Sequence, residues 1–236
     1  LVSEEDQYDP GGDASRTMRP PAACGHPACC DDMQGIPFPL NLRIAEDTGP
    51  MAHKLLEGSF VALLTPFNED YSVDWEGFRT LLEFHAAHGT RAVLIMGSTG
   101  EASMLAPEEK KEIISKTLAM RTGKMELWYG CTGAHTDATL STVRHASAED
   151  ADGIVVTIPS YVVPPEADSI DYFLEVADAA TVPVGVYNNP TRVKTDLSAE
   201  AMIKIASHEN IVLLKEATSR GNQIAQIARA GQHLSI

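Results

Sequence analysis

The chain has 236 residues, 44% hydrophobic and 22% charged, which is ordinary globular composition with enough chain for a sizeable core. Its formal net charge of −15 argues against a nucleic-acid partner bound through a broad basic surface. No apolar run approaches the roughly 18 residues of a membrane span, and no basic-then-apolar signal layout opens the chain, so a soluble cytoplasmic protein is expected.

Residues 1–54 are rich in Asp, Glu, Pro and Gly and carry no sustained period. They read as a disordered or leader extension, with Met51 as the expected natural start. The chain has four cysteines, Cys24, Cys29, Cys30 and Cys131, and their spacing is not that of a disulfide framework. Cys24, His26, Cys29 and Cys30 lack a second ligand pair at finger spacing, so no metal is expected there.

From residue 55 the sequence alternates. Short apolar, β-branched runs occur at 59–64, 91–96, 125–130, 153–157, 182–187 and 211–215. Segments of helical period lie between them. Trp75, Phe78, Leu81, Leu82 and His85 form one stripe. Pro107 and the glutamates after it suit a helix start, and Ser198 suits an N-cap ahead of Met202, Ile205 and Ala206. A last helix is expected over roughly 219–230. Six strand–helix pairs at about 30-residue spacing predict a parallel α/β sheet covered by helices. An open doubly wound sheet and a (β/α)8 barrel both fit. The first strand is followed by no G-x-G-x-x-G, which weakens a dinucleotide-binding reading.

In a barrel, the C-terminal strand ends carry the chemistry. Here those ends hold Thr65 and Pro66, then "GSTGE" (Gly97–Glu101), Tyr161, Tyr187 with "NNPTR" behind it, and Lys215. A neutral amine at a partly desolvated strand end can attack a ketone and form a Schiff base. A tyrosine can shuttle protons, a glycine-bracketed hydroxyl pair can hold a carboxylate, and an arginine can hold a second one.

The motifs "GSTGEAS", "YNNPTR" and "LLKEAT", in this order and spacing, resemble the dihydrodipicolinate synthase / N-acetylneuraminate lyase family of class I aldolases, and "GSFVALLTPF" resembles that family's first strand. The resemblance runs from about residue 56 to the end. It implies a (β/α)8 TIM barrel, here truncated after about six βα units, so 55–236 is expected as a partial barrel. It implies Lys215 as the Schiff-base lysine, Tyr187 as the proton-transfer tyrosine and Ser98 as a relay hydroxyl. Tyr161 matches the tyrosine that enters a neighbouring subunit's site. Thr99, within Gly97–Gly100, matches the second hydroxyl on the pyruvate carboxylate, and Arg192 matches the synthases' arginine for the carboxylate of aspartate semialdehyde.

The implied activity is a 4-hydroxy-tetrahydrodipicolinate synthase-like lyase condensing pyruvate with that aldehyde, with no cofactor and as a homodimer or homotetramer. N-acetylneuraminate lyase or another keto-acid aldolase or dehydratase of the family is the alternative, which the serine in "GSTGE" favours. A truncated, non-catalytic fragment is the alternative of another class, since the chain stops where the family's seventh strand begins. Ser160 stands where lysine-inhibited synthases carry a second tyrosine, and Pro107 and Lys110 where some carry histidines. Weak or absent feedback inhibition by lysine is expected.

Overall fold

A computed structural model describes residues 56–230 and 234–236. All described elements lie within the unit Thr48–Ile236. The leader, Met51 and the Cys24–Cys30 cluster lie outside the described residues.

Six strands form one parallel sheet in sequence order: β1 (Phe60–Ala62), β2 (Ala92–Ile95), β3 (Glu126–Gly130), β4 (Gly153–Val156), β5 (Val184–Asn188) and β6 (Ile211–Glu216). All six apolar runs of the sequence become strands, each differing from its run by at most a few residues at either end. Helices follow each strand: α1 (Trp75–Ala87), α2 (Pro107–Ala119), α3 (Thr136–Ala148), α4 (Glu166–Ala179), the one-turn α5 (Pro190–Val193), α6 (Ala199–Ala206) and α7 (Gly221–Ala230).

The helix starts follow local chemistry. Asp74 caps α1, its Oδ1 accepting from the N–H groups of Glu76 and Gly77 at 3.0 and 2.9 Å. Ser198 caps α6, its hydroxyl accepting from Ala201 N–H at 3.1 Å. In α2, Pro107 takes the first position and Glu109 reaches back to the Ala106 N–H at 2.8 Å. The predicted stripe of α1 places Phe78 and Leu82 fully inside. Each such side chain contributes roughly 1.5–3 kcal/mol on burial against about 1 kcal/mol for the cap, so the apolar face holds the helix and the cap sets where it starts.

Strand alternation sorts the apolar residues into two layers. Val93, Ile95, Tyr129, Ile154, Val156, Val186 and Leu214 belong to the layer between sheet and helices. Leu94, Trp128, Val155 and Leu213, with Phe60 and Tyr187 against them, belong to the opposite, concave face. Gly153 makes room there: a Cβ on it would meet the Trp128 ring at 2.5 Å.

The sheet curls. Ser235 pairs with Leu213 in an isolated parallel bridge, its N–H donating to Val212 O and its carbonyl accepting from Leu214 N–H. The Ser235 hydroxyl accepts from the N–H of Leu56, just before β1, at 2.7 Å. The two ends of a six-stranded sheet reach one another only when it bends round, so the architecture is a partial TIM barrel whose strand ends share one mouth.

Candidate active site

Tyr187 and Lys215 are direct partners in the β5–β6 register. Both continue the concave-face alternation, Lys215 two residues beyond Leu213. The Lys215 Nζ lies 4.4 Å from the centroid of the Tyr187 ring, within cation–π range. Both side chains are half-buried. The lysine at the end of an apolar strand thus faces the barrel mouth, against a phenol.

The turn after β2 starts with strain. Met96 has φ of 57° and Glu101 φ of 55°, left-handed values that cost non-glycine residues about 1–3 kcal/mol. Between them lie Gly97, the exposed Ser98 and Thr99, and the buried Gly100. Gly100 leaves no space for a side chain: a Cβ would come within 3.0 Å of the Leu63 carbonyl and 3.2 Å of Thr65 Oγ1. Thr65, buried at the end of β1, donates its hydroxyl to the Gly100 carbonyl at 2.7 Å. This bond pins the turn, so Ser98 and Thr99 are presented to solvent from a fixed base.

Beyond β5 the chain closes into α5. Asn189 caps it, accepting from Arg192 N–H, and the amide Nδ2 donates to Tyr187 Oη at 2.5 Å. Arg192 is exposed on this turn, and among the described residues no carboxylate forms an ion pair with it. The preceding residue, Asn188, donates to both carboxylate oxygens of its rung partner Glu216 at 2.9 and 3.2 Å. Glu216 also accepts from Thr218 N–H at 2.8 Å. Arg220 pairs with Asp196 at 2.7 Å, tying the loop ahead of α6 to that ahead of α7. These ties fix the strand ends that carry Tyr187 and Lys215.

Tyr161 stands apart from this group. It is 98% exposed with φ of 81°, and Val162 and Val163 beside it are exposed as well. Lys110, in contrast, is buried in the first turns of α2, where its Nζ donates to the Thr132 carbonyl at 3.4 Å. Burial lowers its pKa. The neighbouring Cys131 is fully buried and its thiol is pushed up to about 12, so it stays protonated. Thr157, next after Val155 in the concave alternation, has a buried hydroxyl with no partner among the described residues.

Lys215, Tyr187, Ser98, Thr99, Arg192, Tyr161, Gly97 and Gly100 are marked by their motifs, whereas Asn189, Glu216 and the anchoring role of Thr65 are not. Alternation alone places Tyr187 and Asn189, two residues apart, on one face, a signal obscured by the loop character of "NNP".

A profile of the dihydrodipicolinate synthetase family matches residues 55–236. The chain belongs to this family. The 4-hydroxy-tetrahydrodipicolinate synthase of Aquifex aeolicus is 36% identical over 184 residues, covering 77% of this chain and 62% of the relative. That of Chlorobium phaeovibrioides is 38% identical over 191 residues, covering 79% and 64%. The crystal structure of the Aquifex aeolicus dihydrodipicolinate synthase superposes with a TM-score of 0.72 over 75% of this chain and 61% of that one. The chain therefore spans somewhat less than two thirds of the length of these family members. Among the described residues no helix is long and apolar enough to cross a membrane, and no group of three or more His, Cys, Asp or Glu is placed to hold a metal ion.

Proposed function

We propose that this family member is a 4-hydroxy-tetrahydrodipicolinate synthase-type lyase that condenses pyruvate with aspartate semialdehyde through a Schiff base on Lys215. The observation that carries the proposal is the Lys215–Tyr187 rung, with the amine 4.4 Å from the phenol ring at the barrel mouth. The family membership supports it. So do two solved relatives at 29% identity described as complexes with pyruvate, the Acinetobacter baumannii dihydrodipicolinate synthase and the E. coli prophage protein YagE.

The Lys215 amine adds to the ketone carbon of pyruvate, and loss of water gives the protonated imine. Removal of a methyl proton sends the C–H electron pair toward the imine nitrogen and leaves an enamine. The enamine carbon then attacks the aldehyde carbon. Tyr187 carries protons between these stages, with Ser98 and the Tyr161 of a second copy completing the relay. Thr99 and Ser98, framed by Gly97 and Gly100, hold the pyruvate carboxylate, and Arg192 holds that of aspartate semialdehyde. No cofactor or metal takes part. The exposed Tyr161–Val163 segment suits burial against another copy, so a homodimer or homotetramer in the cytoplasm belongs to the same proposal.

The test is a choice of second substrate. With pyruvate present, the protein consumes aspartate semialdehyde, and Arg192→Ala weakens that reaction about tenfold or more through KM, as loss of a bidentate carboxylate contact does. Turnover of N-acetylmannosamine in preference to aspartate semialdehyde would overturn the assignment.

A further inference from the structure

The asparagine doublet of "YNNP" has no part in the chemistry above, yet Asn189 touches its central phenol. Asn189 is 8% exposed and both ends of its amide are engaged. The Oδ1 accepts from Arg192 N–H at 3.3 Å as the cap of α5, and Nδ2 donates to Tyr187 Oη at 2.5 Å. The cap fixes the amide's direction. With its oxygen held by the helix start, only the NH2 group faces the phenol.

A donor at that position has two consequences. It occupies one lone pair of Oη, so the phenol's own proton is directed elsewhere. It also stabilises negative charge on Oη whenever that proton has left, inside a site partly shielded from water. The geometry points to Asn189 as a positioning residue for proton transfer by Tyr187, directing the phenol proton toward the substrate on Lys215 and holding the oxygen while the proton is away.

The inference rests on the proposed role of Tyr187, and the steps balance. As the carbinolamine on Lys215 loses its hydroxyl, the Tyr187 O–H bond breaks and the proton leaves with that oxygen as water. The electron pair stays on Oη, opposite the Asn189 N–H. That oxygen then takes a proton from the methyl carbon of the protonated imine. The C–H pair becomes the enamine double bond, the imine nitrogen takes up its own π pair, and the phenol is restored.

Asn189→Asp separates positioning from structure. It keeps the oxygen that caps α5 and removes the donor. Asn189→Ser provides a second variant, short of the phenol yet still a good cap. The expected result is a kcat lowered about tenfold or more, in line with loss of one hydrogen bond to a charged oxygen. KM for pyruvate, thermal stability and the borohydride-trapped adduct on Lys215 should be retained. In free protein labelled with [13C]tyrosine, and with Tyr187→Phe giving the assignment, both variants shift the Tyr187 Cζ resonance and leave the other tyrosines unmoved. Wild-type kcat with an unmoved Tyr187 resonance would overturn the inference. If the wild type forms no pyruvate adduct, the proposed function fails and the catalytic role of Asn189 with it, while the resonance still reports the hydrogen bond.

Discussion

Thr65 and Lys110 are both buried polar residues near the strand ends, and they have opposite consequences. The Thr65 hydroxyl is matched by the Gly100 carbonyl at 2.7 Å and holds the turn that displays Ser98 and Thr99. Thr65→Val keeps the shape and leaves that carbonyl unpaired, so it costs about 1–3 kcal/mol in a denaturant titration; under the proposed function it is also expected to raise KM for pyruvate as the turn loosens. Lys110 has a single long hydrogen bond to Thr132 O and is desolvated, which lowers its pKa below the ordinary 10.5. The unfolded chain therefore binds a proton at this lysine that the folded chain does not, in the window between the lowered value and 10.5. Stability rises with pH across that window. Lys110→Met is expected to raise the melting temperature at neutral pH, with the gain shrinking as pH climbs toward 10.5. A gain independent of pH would place the effect in packing alone.

At the scale of elements, the strands and long helices are legible because their signal is repeated within each segment. Six β-branched runs, the α1 stripe and the Ser198 cap need no tertiary information. The start of α1 can be tested directly: Asp74→Ala removes an acceptor for two N–H groups and should cost about 1 kcal/mol by thermal or chemical denaturation. A change near zero would mean that water replaces the cap. The turn α5 was not legible. Four residues are too few for a period to show, and the turn depends on Asn189 capping it and Pro190 opening it. The same limit hides the Asn188–Glu216 contact, which needs the register of β5 on β6. That register shifts between Val184 and Gly185, and nothing local in the sequence marks the shift. The candidate site divides in the same way. Lys215, Tyr187, Ser98, Thr99 and Arg192 stand out by motif, whereas the anchoring role of Thr65 and the contact of Asn189 with Tyr187 emerge only once the turns are folded onto the strand ends.

For the whole molecule, the concave face and its curl gather these strand ends at one mouth, and the bond from Leu56 to Ser235 shows how far the sheet has bent. Regulation is read at this scale too. One solved relative, from Cyanidioschyzon merolae at 30% identity, is described with lysine bound. In this chain Ser160 is exposed, Pro107 opens α2 and the Lys110 amine is directed inward to Thr132. We propose that lysine inhibits this protein weakly or not at all; strong inhibition in a steady-state assay would contradict that. The central claim is the nucleophile, and the most direct measurement is borohydride reduction in the presence of pyruvate followed by peptide mapping. The account predicts a reduced pyruvate adduct on the peptide containing Lys215, absent in Lys215→Ala. A folded protein that yields no adduct, or an adduct on a different lysine, would contradict it.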